Sequence, residues 1–142
     1  MLFRSYEVKL DTYSKLINIE GQTMSHMTKR KIAPAVSAYA EQIAATINAK
    51  KQANPDLQPT ADLKLLGKLN DGANEISDAL DVLDAALAKA HGTSDALEKA
   101  RTYHDEVLVA MQSLRVVCDC MEGIVSTEAW PLPTYNKILF YC

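Results

Sequence analysis

Apolar residues recur in alternating steps of three and four along two long stretches of this chain. The first is Leu66, Leu69, Ala73, Ile76, Leu80, Leu83, Leu87 and Ala90. The second is Leu97, Ala100, His104, Val107, Met111, Leu114, Cys118, Met121 and Val125. Such spacing holds one stripe of side chains against a partner helix for many turns, and it excludes the two-residue period of strands. A helix over 60–91 would be about 45 Å long at 1.5 Å per residue. The break at His91-Gly92-Thr93-Ser94 separates it from a helix over 94–125. Gly92 suits a left-handed C-terminal cap, Thr93 or Ser94 can open the next helix, and so short a turn predicts an antiparallel hairpin.

Two helices leave much of each stripe uncovered, so the region 5–51 must supply a third side. Tyr6, Leu10, Tyr13 and Ile17 mark one face there, continued by Met24 and Met27; Ile32, Val36, Tyr39, Ile43 and Ile47 mark another. Pro34 lacks an N–H donor and crowds the preceding turn, which predicts a kink or break near residues 30–34. Ala53-Asn-Pro-Asp-Leu-Gln-Pro-Thr60 reads as a loop, with Thr60 or Asp62 placed to cap the next helix. The fold expected is a single all-α domain. It would be an antiparallel bundle of three long helices, the first broken into up to two segments, ending in an extended Trp-Pro-x-Pro tail over 127–142.

The chain has 142 residues, ordinary hydrophobic (48%) and charged (23%) fractions and a net charge of −3, which argues against nucleic acid or an anionic membrane as a partner. Lys29-Arg30-Lys31 is the one dense basic run and reads as a solvated helix face. No apolar run approaches the ~20 residues that span a bilayer. Met-Leu-Phe-Arg-Ser-Tyr-Glu at the N-terminus has no signal core. With three cysteines, two of them (Cys118 and Cys120) diverging on one helix, thiols in the cytoplasm are the simplest reading.

Residues that could carry chemistry are scattered. His104 falls in the apolar stripe, where a core histidine with one hydrogen-bond partner is the plainer reading, and Cys120 has no basic neighbour to form a thiolate. No glycine-rich phosphate loop, nucleophile–base pair or metal-ligand spacing occurs, so no catalytic, cofactor-binding or metal residue is assigned. Asn18 and Glu20 interrupt the apolar face of the first helix, either as a solvated edge or as contacts to another domain. Gly21 inside that helix costs about 1 kcal/mol against alanine, a sign of close approach by another element.

Arg4-Ser-Tyr-Glu-Val8, Ile17-Asn-Ile-Glu20, Gln22-Thr-Met24 and Ala33-Pro-Ala-Val36, with Trp130-Pro-Leu-Pro-Thr-Tyr135 and Leu139-Phe140, resemble in order the C-terminal region of type III glutamine synthetase. Asn48-Ala-Lys-Lys51 and Asp95-Ala-Leu-Glu-Lys-Ala100 extend the likeness through the chain. Gly21, Leu132, Asn136-Lys137 and the Cys118–Cys120 stretch depart from the family's pattern. The resemblance implies a homo-oligomeric ligase that joins glutamate and ammonia using ATP and Mg or Mn. Its metal-binding and nucleotide motifs lie upstream of this region, so none is carried over. Met1 falls inside the resembling helix, which implies a piece of a longer chain or a domain standing alone. The implied partners are the rest of the synthetase polypeptide and neighbouring subunits. Candidate interface residues are Asn18, Glu20, Met24, Trp130, Pro131, Pro133 and Tyr135, with Trp130 and Tyr135 as aromatic anchors. The rival is a free-standing adaptor or regulatory bundle that binds another protein.

Overall fold

The computed structural model describes residues 2–133, with side chains from residue 4 onward. The described residues are helical and contain no strand, in three continuous helical runs. The first comprises α1 (Leu2–Met27), a π-helical turn at Thr28–Ile32 and α2 (Ala33–Ala53). The second is α3 (Thr60–His91). The third comprises α4 (Ala96–Thr102), a π-helical turn at Tyr103–Val107 and α5 (Leu108–Glu122).

Several local expectations are corrected. Near residues 30–34, where a kink or break is expected, the α-helix gives way to a π turn over Thr28–Ile32 and resumes at Ala33, so that the run continues through Pro34. A π turn directs carbonyls to donors five residues on, so the N–H that Pro34 lacks is absorbed without opening the helix. Gly92 does not take the left-handed conformation. Instead the Thr93 hydroxyl donates to the Lys89 carbonyl (2.9 Å) and the Thr93 amide to the Ala90 carbonyl (3.2 Å), closing the last turn of α3. The next helix opens on Asp95, whose carboxylate accepts the Glu98 amide at 3.0 Å, and not on Thr93 or Ser94. Asp62 receives the Lys50 ammonium across the 54–59 loop. The start of the tail is not extended: the Trp130 amide donates to the Ser126 carbonyl (3.0 Å), making a turn of 126–130.

The chain divides into two compact units, residues 1–28 with 78–116, and residues 29–77 with 117–142. In the first, α1 lies against the second half of α3 and against α4 and the π turn that follows it. Asn18 meets Tyr103, while Gly21 abuts Leu87 and Val107 and Ser25 meets Asp84. Partner numbers therefore rise with α1 along the third run and fall along α3. The unit's buried residues include Ile17, Leu80, Leu83, Leu87, Ala90, Ala100, Tyr103, Val107 and Leu114. In the second unit Val36, Ile47, Leu69, Ile76, Cys118, Met121 and Trp130 are buried. Gly72 has a packing reason, since a Cβ there would collide with the Met121 thioether.

Candidate functional site

The sequence-nominated residues fall in both units. Asn18, Glu20 and Met24 lie on α1 in the first; Trp130, Pro131 and Pro133 follow α5 in the second. Tyr135 lies outside the described residues.

Within the first unit α1 carries a row of polar groups on its inward side. The Tyr103 hydroxyl donates to Asn18 Oδ1 at 3.2 Å. The Ser25 hydroxyl donates to Asp84 Oδ1 at 2.6 Å, and the Thr28 hydroxyl to the Met24 carbonyl at 2.8 Å. Asn18 is thus half-buried and bonded inside the chain, and Met24 is half-buried beside it; Glu20 is exposed. Between the polar pairs, a Cβ on Gly21 would stand 2.9 Å from Leu87 Cδ2 and 3.4 Å from Val107 Cγ1. The helices approach here through the missing side chain, which is the physical use of a glycine that is otherwise costly in a helix.

Tyr103 is 1% exposed, and burial raises its phenol above the ordinary value of 10.0. Desolvation is the cause: taking the ring from water disfavours the phenolate. His104 is exposed and its Nδ1 lies 2.9 Å from the neighbouring Asp105 carboxylate, so Tyr103 fills the stripe position that spacing gave to the histidine. Two buried hydroxyls, those of Tyr13 and Ser14, find no partner among the described residues.

A shallow groove of about 490 Å³ runs between α3 and α5 in this unit, with Val82, Ala86 and Lys89 facing Glu106, Val109 and Ala110. Lys89 Nζ bonds Glu106 Oε1 at 2.9 Å.

In the second unit Trp130 is 6% exposed, so its ring is already covered within the chain, while Pro131 and Pro133 are exposed. Cys118 is buried and Cys120 exposed, and neither is in a disulfide. The Mg or Mn implied by the resemblance does not fit here: among the described residues no group of three or more His, Cys, Asp or Glu could hold a metal ion. No helix among them is long and apolar enough to cross a membrane.

Sequence reasoning missed the outward face of α1. Val8, Leu16 and Ile19 are exposed there, at eight- and three-residue offsets that a search for a single buried stripe passes over.

Among its described residues the chain is all-helical, with side-chain bonds from Asn18 and Ser25 holding α1 to Tyr103 and Asp84. The family model for the glutamine synthetase C-terminal domain matches residues 2–51, the run from α1 to α2. The chain is 32% identical over 139 residues to a glutamine synthetase of Butyrivibrio fibrisolvens, covering 98% of this chain and 20% of that protein. It is 25% identical over 138 residues to a type-3 glutamine synthetase of Dictyostelium discoideum, covering 94% of this chain and 19% of that one. It thus belongs with the C-terminal domains of the glutamine synthetase family. It spans about a fifth of the length of these curated relatives. No solved structure matches it.

Proposed function

We propose that this chain is the non-catalytic C-terminal helical domain of a type III glutamine synthetase. Its helices form one antiparallel bundle with a Trp-Pro-x-Pro tail, and the bundle packs on the catalytic body and takes part in joining subunits. The parent enzyme makes glutamine from glutamate, ammonia and ATP with Mg or Mn, in the cytoplasm. The observation that carries this reading is the pairing of coverage: 98% of this chain aligns with only 20% of the Butyrivibrio fibrisolvens enzyme, and the matching family model is that of a C-terminal domain.

Physical chemistry favours an interaction role over a catalytic one. Asn18 and Ser25 of α1 are engaged with the third run and α3, where they fix helix register. Candidate contacts to the parent are Glu20, Pro131 and Pro133, which are exposed, and Tyr135. Trp130, Asn18 and Met24 serve them from behind, holding the exposed neighbours in place.

Phosphate release from ATP in the presence of glutamate, ammonia and Mg tests the reading. The 142-residue chain alone is expected to give no release above background; turnover by the chain would overturn it.

A further inference from the structure

We infer that the outward stripe Val8–Thr12–Leu16–Ile19 of α1 is the surface that seats against the rest of the glutamine synthetase polypeptide, an inference resting on the reading above. Helix α1 is apolar on two opposite sides. Leu10, Ile17 and Gly21 face inward; Val8, Leu16 and Ile19, at 59%, 53% and 63% exposure, lie on the other side. Charged residues (Lys9, Asp11, Lys15 and Glu20) separate the two apolar sides, and among the described residues only the inward side is covered.

The stripe is also free of charge and of polar groups that need water. Thr12 lies between Val8 and Leu16, and its hydroxyl donates to the Val8 carbonyl at 2.8 Å. At the stripe's edge Lys15 pairs with Asp11 at 2.9 Å along the same helix. The chemistry that matches is an uncharged, apolar protein face.

Size decides between a second copy and a larger body. Three large apolar side chains per copy fall well short of the roughly 1,200 Å² that a specific two-chain interface buries, so the stripe by itself cannot hold a dimer. As one part of a broader contact with a body four times the chain's length, it needs no such area. The stripe also lies within residues 2–51, the part that the family model matches.

The test uses the full chain and, as its probe, the Butyrivibrio fibrisolvens enzyme lacking the fifth that aligns with it. Binding is measured by calorimetry for the unaltered chain, for Leu16→Glu/Ile19→Glu, and for Val82→Glu/Val109→Glu in the α3–α5 groove. The folding of both variants is checked by far-ultraviolet circular dichroism, which should not change because the four altered residues are exposed. The stripe variant is expected to bind at least tenfold more weakly and the groove variant within twofold of the unaltered chain. Equal binding by the stripe variant overturns this inference while leaving the proposed function intact. No binding by the unaltered chain overturns both. Self-association of the chain that the stripe variant abolishes would give the surface to a second copy and overturn it as well.

Discussion

The two units of this chain are built by different means. In the first, side-chain hydrogen bonds join α1 to distant helices, Ser25 to Asp84 and Asn18 to Tyr103, on either side of the Gly21 approach. In the second, the Lys50–Asp62 pair joins α2 to α3 at the surface, and the buried contacts include Met121 in the space left by Gly72, with Val36, Leu69 and Trp130 also buried. Directional bonds specify which residue meets which, whereas apolar volume stabilises whatever packs well. The unit with the directional bonds is the one whose first helix carries the unpartnered outer stripe. A helix gripped from one side by fixed bonds can present its other side at a defined angle, which a docking surface requires.

Substitutions in both units probe this contrast. Leu83→Ala and Leu69→Ala, in the first and second units, remove side chains of 0% exposure and should each cost about 2–5 kcal/mol in urea unfolding. A much smaller loss for Leu83 would mean that the polar bonds, not apolar packing, hold the first unit together. Ser25→Ala leaves the Asp84 carboxylate short of a donor and should cost about 1.5–3 kcal/mol, the range for bonds to charged groups. Gly72→Ala displaces Met121 and should cost about 1–3 kcal/mol before the ~1 kcal/mol that alanine returns in helix propensity. Combining it with Met121→Ala should make the glycine change neutral or favourable, because the clash is then gone.

Tyr103→Phe should cost about 1 kcal/mol, with the loss of the bond to Asn18. It carries a pH signature too. The folded phenol ionises above its ordinary value, so the unfolded chain releases its proton first and stability falls as pH rises past about 10. The phenylalanine variant should lose that part of the alkaline decline. Lys50→Met should be the mildest, below about 1 kcal/mol, since its pair with Asp62 is solvent-screened.

Much of the fold could be read from residue spacing alone, because period and punctuation are local properties. The α3 stripe and the 54–59 loop are of this kind: Leu69, Ile76, Leu80, Leu83 and Leu87 are all buried. Features that depend on distant partners could not be read. Asn18 looks like a break in an apolar face until Tyr103, 85 residues on, is seen to bond it. His104 seemed a stripe residue because a constant helical period was assumed, but the π turn at Tyr103–Val107 alters that period and the larger ring takes the buried position. Gly21 was the exception, a residue whose helix cost announced a close approach that the structure contains. For the candidate contacts, Trp130 was chosen for its aromatic bulk, yet bulk attracts burial at home as readily as abroad.

The most direct test of the interaction role is the light-scattering mass of the Butyrivibrio fibrisolvens enzyme lacking its matched fifth, measured without and with this chain. The account predicts a smaller assembly than the intact enzyme forms, with mass regained when the chain is added. An assembly of unchanged size after the deletion would contradict it.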